Sequence, residues 1–339
     1  FGIAPLHLIT GRGHHFVWSI DRTSNAFDRL AEIGIVPETL QQRYDQTHPP
    51  RQECIEPDLG RAFAGLGCLM EYIGHRVKRE TAFISDMPIQ LTDVEVGHGG
   101  NGKAGREVIS IDISEYADPL HTRHIRVPFS LYLKPHRNRD ILGHHVVDTT
   151  PTIYQIPAFE LTETEAIQVM RDPVKVAELA RRASVHIPDF SAGTAVLLQE
   201  YELSSLAEFH AWFYEREHHS PQEWLNTYDR LSLDALPSCT KQILQQPNDL
   251  LLKPAGIQNV VRVLMSVGWH PRHIAGLIRS KYEHDHGWGN RWYARDATNR
   301  ADWYTRLFAG QIVTGLDSLV DFNCVSNREK GYCFEPQCG

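Results

Sequence analysis

An α/β domain with a mixed or antiparallel sheet, followed by a mostly α-helical region, is the fold this sequence predicts. Three observations predict it. Short alternating apolar segments are confined to the N-terminal part of the 339 residues, helical periodicity takes over from about residue 160, and four of the six cysteines fall in the last 101 residues.

Leu6 to Thr10 and His15 to Ile20 read as two strands around the turn Gly11-Arg12-Gly13. Asn25 caps a short helix through Ile33. Asp58 opens a helix whose apolar positions (Leu59, Phe63, Leu66, Met70, Ile73, Val77) recur at helical spacing, so it is expected to pack on a sheet. Ile89 to Val96 and Glu107 to Ile113 alternate as strands, with the glycine-rich stretch Gly97 to Gly105 between them as a hairpin connection. Arg123 to Phe129 reads as a further strand. Thr162-Glu163-Thr164-Glu165 starts a helical stretch, and Ser204 to Glu217 carries Leu206, Phe209, Trp212 and Phe213 on one face. Helices are predicted over Ser238 to Gln246, Gly256 to Val267 and Pro271 to Tyr282. Three segments follow: 1–150 as the α/β core, 151–235 as an acidic helical connector, and 236–339 as a helical cysteine-bearing domain.

The charge is −8, which taken alone argues against nucleic acid, but its distribution argues otherwise. Residues 151–235 hold 14 acidic and 6 basic side chains and so carry the whole excess. Residues 117–139 hold Arg123, Arg126, Lys134, Arg137 and Arg139 against Asp118 alone, and 269–310 hold seven basic against four acidic residues. The chain is thus two basic islands joined by an acidic spacer. No apolar run is long enough to span a bilayer, and no leader points to secretion, so a cytoplasmic protein with no membrane partner is expected. The chain opens at Phe1 directly in a strand-like run, which reads as the interior of a longer gene product.

Gly97-His98-Gly99-Gly100-Asn101-Gly102-Lys103 fits seven positions of a phosphate-binding P-loop. The eighth is Ala104, where Mg²⁺ needs a hydroxyl, and a strand follows where a helix should supply its dipole. It is not a P-loop. Thr10-Gly11-Arg12-Gly13-His14-His15 is more informative: a small-residue turn with two cationic donors lets backbone amides converge on phosphate, although a plain hairpin would look the same. Ile109-Ser110-Ile111-Asp112-Ile113 puts one carboxylate among β-branched neighbours, either a hydrogen-bonded structural Asp or a Mg²⁺ ligand. Arg126, Ser130 and Lys134 recur every four residues, along one wall of a triphosphate site or on a solvated basic strand.

Cys239, Cys324, Cys333 and Cys338 are separated by 84, 8 and 4 residues. Four thiolates hold a [4Fe–4S] cluster or a tetrahedral Zn²⁺; the usual zinc pattern has two close pairs, whereas here one distant Cys precedes three at the end. Cys54 and Cys68 read as ordinary buried thiols, Cys68 on the apolar helix. Trp288, Trp292, Tyr293, Trp303 and Tyr304 interleave with Arg291, Arg295, Arg300 and Arg306, which is the logic of single-strand binding or else a tryptophan-rich core with surface arginines.

The Thr10 turn, the Ile111-Asp112 strand and the Arg126 to Lys134 segment, in this order, resemble the catalytic core of the archaeo-eukaryotic primase superfamily of small-subunit type. Its motifs run Ser-Gly-Arg-x-Gly-x-His, apolar-Asp, then Arg-x-Pro-x-Ser-Leu-His-x-Lys. The resemblance implies catalytic roles for His15 and Asp112, with His15 on nucleotide phosphates and Asp112 as a carboxylate for Mg²⁺ or Mn²⁺. It also implies that Arg12, Arg126, Ser130 and Lys134 contact the incoming NTP or dNTP. Tyr132 stands where the family often has histidine, and the family's Asp-x-Asp pair has no counterpart in the nine residues before Thr10. Leu236-Pro237-Ser238-Cys239, Asn323-Cys324, Gly331-Tyr332-Cys333 and Cys338, with Arg262-Val263-Leu264 to Gly268 between them, resemble the iron–sulfur domain of the primase large subunit. The implied protein is a DNA primase or primase-polymerase that starts primers on a single-stranded DNA template. Trp288, Arg291, Trp292, Arg295 and Arg300 would bind the template, and a replicative helicase or polymerase would be its partner. The alternative is a non-catalytic nucleic-acid-binding module with a four-cysteine zinc or iron–sulfur site.

Overall fold

Apolar periodicity and helix caps fix most of the elements. The computed structural model describes residues 2–11, 13–45, 54–92, 108–122, 124–133, 152–245, 251–283, 295–333 and 335. It is mixed α/β and divides into two compact units, built differently from the three linear segments read from the sequence. Unit 1 is Phe1–Asp28 with Arg123–Leu197, and unit 2 is Arg29–Thr122 with Leu198–Gly339. Among the described residues no helix is long and apolar enough to cross a membrane.

In unit 1, β1 (Leu6–Ile9) pairs antiparallel with β2 (His14–Val17) and with the two-residue β5 (Ile156–Pro157), in the order β2-β1-β5. The register Leu8↔His15 and Ile9↔His14 sends these two pairs to opposite faces of the sheet. Ile9 and Ile156 meet Ala166, Met170, Val176 and Leu179 from two helices, Glu163–Met170 and Pro173–Ala180, and these six form one core. The first of those helices opens on a capping box in which Thr162 and Glu165 satisfy each other's amides.

Unit 2 is mostly helical. A 25-residue helix, α3 (Pro57–Thr81), follows α1 (Asn25–Ile33) and α2 (Glu38–Gln41). Four helices of the C-terminal part, Ser238–Gln245, Pro254–Ser266, Pro271–Glu283 and Ala297–Val313, pack through Ile243, Ile257, Val260, Val261, Leu264, Ile274, Leu277, Ile278, Leu307 and Phe308, all buried. The expected sheet under α3 is met at Gly74, which lies against Leu91, whereas at Gly67 the neighbour is Trp303 of the last of these helices.

Three expectations are corrected. Cys68 is buried as expected, but Cys54 is exposed, its thiol donating to Asp45 O at 3.2 Å. β3 (Ile89–Leu91) and β4 (Ile109–Ile111) pair in parallel, Ile89↔Ile109, so they are not the arms of a hairpin. A parallel pair needs a crossover rather than a turn, and residues 93–107, including the Gly97 to Gly105 stretch, lie outside the described residues. The segment expected as a strand through Phe129 ends instead in a tight turn. Ser130 donates its amide to Val127 O at 3.1 Å, Pro128 has no N–H to offer, and Phe129 sits at φ +65°. That is the type II turn geometry, with a phenylalanine at the position glycine usually takes. Pairing begins within the turn: Phe129 N reaches Gln155 O at 2.7 Å, and Tyr132 N then reaches Ile153 O at 2.7 Å.

Candidate functional site

In unit 1 the turn after β1 and the segment after Pro128 come together. Thr10 Oγ1 accepts from Gly13 N at 3.1 Å and Thr10 N donates to Gly13 O at 2.8 Å, closing the glycine turn. A Cβ on Gly11 would lie 3.1 Å from Tyr132 Cδ1, so the turn rests directly on that ring. Arg126 places its guanidinium 4.8 Å from the centroid of the same ring. Gln155, fully buried, donates from Nε2 to Arg126 O at 3.0 Å.

Three polar atoms of this cluster are buried without a hydrogen-bond partner: Arg126 Nη1, Ser130 Oγ and Gln155 Oε1. Each such atom costs about 1–3 kcal/mol if nothing reaches it. Burial lowers the pKa of Arg126, with Tyr132 acting against the shift. Two donors and an acceptor are thus left without partners beside the glycine turn. His15 is exposed on β2, on the face opposite Ile9 and His14. The Ile9 face carries a cleft of about 320 Å³ lined by Thr10, Gly11, His14, Ile167 and Arg171. Arg12 and Lys134 lie outside the described residues.

Asp112 belongs to unit 2. Its Oδ1 accepts from the Ser114 amide at 3.1 Å and the Ser114 hydroxyl at 2.6 Å, which starts the short 3-10 helix Ser114–Ala117.

The cysteines are positioned by a scaffold that the sequence hid. Cys239 is the second residue of the helix Ser238–Gln245 and is buried, as is Cys333. Burial raises the Cys239 pKa, and Cys333 is close enough to add to the rise. Asn259, from the helix Pro254–Ser266, uses all of its amide: Oδ1 accepts from Thr240 Oγ1 at 2.8 Å, and Nδ2 donates to Asn327 Oδ1 at 3.0 Å and to Cys239 Sγ at 3.9 Å. Cys324 is exposed at the start of the helix Cys324–Glu329, capped by the Asn323 side chain. That helix ends as Gly331 turns left-handed (φ +72°) and Tyr332 N returns to Asn327 O at 2.8 Å. The reversal brings Cys333 back toward Cys239, and it requires the glycine of Gly-x-Cys. Arg262 is buried and grips Asp317 (2.8 and 2.6 Å) and Asp321 (3.2 Å), and Asp321 also pairs with Lys330. The arginine thus anchors the stretch leading to Cys324, and Lys330 ties the far side of the Cys324 helix to the same Asp321.

Among the described residues no three His, Cys, Asp or Glu side chains close into a metal site. Cys239 and Cys333 lie together, Cys324 stands at the neighbouring helix start, and Cys338 is outside the described residues. Buried thiols with an amide N–H on sulfur fit a thiolate-ligated group, because donors to sulfur stabilise the charged form.

Of the arginine–aromatic island, Trp288, Arg291 and Trp292 lie outside the described residues, and Arg295 is exposed. Arg300 donates to Leu252 O at 2.7 Å and lies 4.7 Å from the Tyr304 centroid. Trp303, Tyr304 and Arg306 are buried. Arg306 is ion-paired with the fully buried Glu71, whose other oxygen binds His210 Nε2 at 3.0 Å; His210 Nδ1 in turn meets Tyr201 OH at 2.8 Å. This part of the island is therefore core.

A scan against protein-family models, a search of curated proteins and a search of solved structures find no match to this chain.

Proposed function

We propose that this chain is the nucleotide- and template-binding part of a primase-type nucleotidyltransferase. The observation that carries the reading is the set of unpartnered buried atoms at Arg126, Ser130 and Gln155 beside the glycine turn. In this reading Arg126 Nη1 and Ser130 Oγ donate to phosphoryl oxygens of an NTP or dNTP. Gln155 Oε1 accepts from a hydroxyl or amine of the same nucleotide. The Tyr132 ring holds the guanidinium flat against the turn, so its orientation is fixed before the ligand arrives. Arg12, Lys134 and His15 are the proposed further phosphate contacts.

Cys239, Cys324, Cys333 and Cys338 are the proposed ligands of a [4Fe–4S] cluster, with Zn²⁺ as the alternative; when bound, the group supplies a covalent tie between chain segments far apart in sequence. Asn259 keeps an N–H on Cys239 sulfur, and Arg262 holds the segment leading to Cys324. Trp288, Arg291, Trp292, Arg295 and Arg300 remain the proposed template contacts, with a replicative helicase or polymerase as partner in the cytoplasm.

For Mg²⁺ or Mn²⁺ the residues in hand do not fit. Two-metal phosphoryl transfer needs several carboxylates, and Asp112 is a single one whose Oδ1 is engaged by Ser114. That same observation favours the second reading, a non-catalytic nucleic-acid-binding module.

Template-directed incorporation of labelled nucleotide separates the two. The chain alone is expected to retain nucleotide and single-stranded DNA but to make no primer. Joined behind a segment that carries an Asp-x-Asp pair it should synthesise, and Arg126→Ala should abolish that synthesis. No incorporation by the joined chain, with template binding intact, would leave the binding module standing.

A further inference from the structure

Unit 2 carries a second polar cleft, separate from the cysteines. It holds about 200 Å³ and is lined by His75, Arg76 and Arg79 of α3, by Glu200, and by Ser204 and Ser205 at the start of the helix Ser205–Tyr214. Neither the nucleotide reading nor the cysteine reading uses it.

Its charges are unevenly spent. Arg76 is paired with Glu200 at 2.8 Å and Glu80 at 2.6 Å, and Tyr72 OH adds a 3.4 Å contact to Glu200. The Glu200 carboxylate is therefore neutralised from within. Arg79 is exposed, three and four residues beyond Arg76 and His75 on the same helical face, and has no ion pair among the described residues. Across the cleft the helix Ser205–Tyr214 opens. Ser204 caps it by taking the Ala207 amide on its side chain and the Glu208 amide on its carbonyl, which leaves the amides of Ser205 and Leu206 as the open donors of the first turn.

The second observation concerns His75, whose side chain is only 3% exposed. Its Nδ1 lies 3.3 Å from Thr314 Oγ1, and that hydroxyl spends its own hydrogen on Gly310 O at 2.8 Å. Nδ1 must therefore carry the proton and donate, which makes Nε2 an acceptor. Nε2 is buried and has no partner. His75 Nε2 is thus an acceptor short of a hydrogen, on a residue that lines an otherwise donor-rich cleft. A cationic donor is disfavoured there by Arg76 and Arg79. An anion that carries its own proton satisfies both demands.

We propose that this cleft binds a protonated phosphate group, inorganic or as a monoester, with Arg79 and the first turn of the helix Ser205–Tyr214 on its charged oxygens and its P–OH donating to His75 Nε2. Sulfate has the same shape and no proton at neutral pH, so the site discriminates between the two. The bound species holds a proton that a free monoester loses above its second pKa of about 6, and inorganic phosphate about one unit higher, so affinity falls as pH rises. His75 stays neutral through this range: burial holds it at about 4, against the pull of Glu71, with His210, Lys78 and Arg79 pushing the same way as burial. Arg76 from α3 and Glu200 across the cleft complete the charged groups around it, and Thr314 adds only a hydroxyl.

The test is titration of the full chain with inorganic phosphate and, separately, sulfate, followed by calorimetry and ³¹P NMR at pH 6 and pH 8. The Arg126→Ala background keeps the proposed nucleotide site silent, so this inference and that reading fail independently. Phosphate is expected to bind roughly five- to tenfold more tightly at pH 6 than at pH 8, and at least tenfold more tightly than sulfate at pH 6. Arg79→Ala, an exposed change, should weaken it tenfold without moving Tm, and His75→Phe should erase the preference over sulfate. Equal affinity for the two anions, or phosphate binding that ignores Arg79→Ala, would reduce the cleft to an adventitious ion only and overturn the proposal.

Discussion

Asn259 and Asn327, 68 residues apart in sequence, are joined side chain to side chain at 3.0 Å, and the same Asn259 amide reaches the Cys239 sulfur at 3.9 Å. Asn259→Ala leaves Thr240 Oγ1 and Asn327 Oδ1 buried without their partner, at a cost of about 1–3 kcal/mol. Urea unfolding should show that loss. Hydrogen exchange should show the opening concentrated in residues 324–333, and the Cys239 thiol should react faster with an alkylating reagent. A uniform loss of protection across unit 2 would argue against this local role.

Glu71 supplies the pH signature of the helical unit. Burial opposes its charge, but Arg306 and His210 more than offset it and hold the carboxyl at about 2, below the ordinary 4.5. A depressed carboxyl contributes stability above its unfolded value and loses it as pH falls through the folded one. Stability should therefore drain between roughly pH 4.5 and 2, and Glu71→Gln should flatten that acid limb. At neutral pH the same change strands the Arg306 charge and should cost about 3–5 kcal/mol. His210 has the opposite sign: its raised pKa adds stability that fades as pH climbs through the folded value. Unfolding midpoints across pH measure both.

Gly65→Ala should be among the most damaging small changes. A Cβ there would come within 2.0 Å of Leu30 O, and on the other side of the same crossing a Cβ on Gly34 would come within 1.8 Å of Arg61 O. Both obstacles are backbone, so α1 and α3 must separate, at a cost of about 3 kcal/mol or more. Gly13→Ala, with nothing within 4 Å, is the matched control and should leave Tm within a degree or two.

Full chain prepared without oxygen should be brown and hold about four irons. Cys333→Ser should lose the iron and loosen the C-terminal segment, because ligation ties that segment to Cys239. Equimolar zinc and no iron would replace the cluster with the alternative.

The helices 254–266 and 271–283 were legible because proline starts and apolar spacing act locally. The turn at Gly11 and the segment at Arg126 were legible as chemistry, but not the reason they meet, which is the Tyr132 ring between them. The strand expected at Arg123–Phe129 fails because Pro128 and the left-handed Phe129 turn the chain, an effect β-propensity does not weigh. Arg306 looked like a phosphate contact from its aromatic neighbours; its true partner, Glu71, lies 235 residues away. Asn259 and Asn327 carried no motif at all, since a polar residue on an apolar helix face announces a buried partner without naming it.

The most direct test of the nucleotide site is equilibrium titration of the full chain with a nucleoside triphosphate and Mg²⁺, comparing wild type with Arg126→Ala and Ser130→Ala at matched Tm. Charge-assisted contacts from Arg126 are worth about 1.5–3 kcal/mol, so the account predicts a loss of tenfold or more for Arg126→Ala, a smaller loss for Ser130→Ala, and a weaker salt dependence of what remains. Triphosphate binding unchanged in both variants would contradict it.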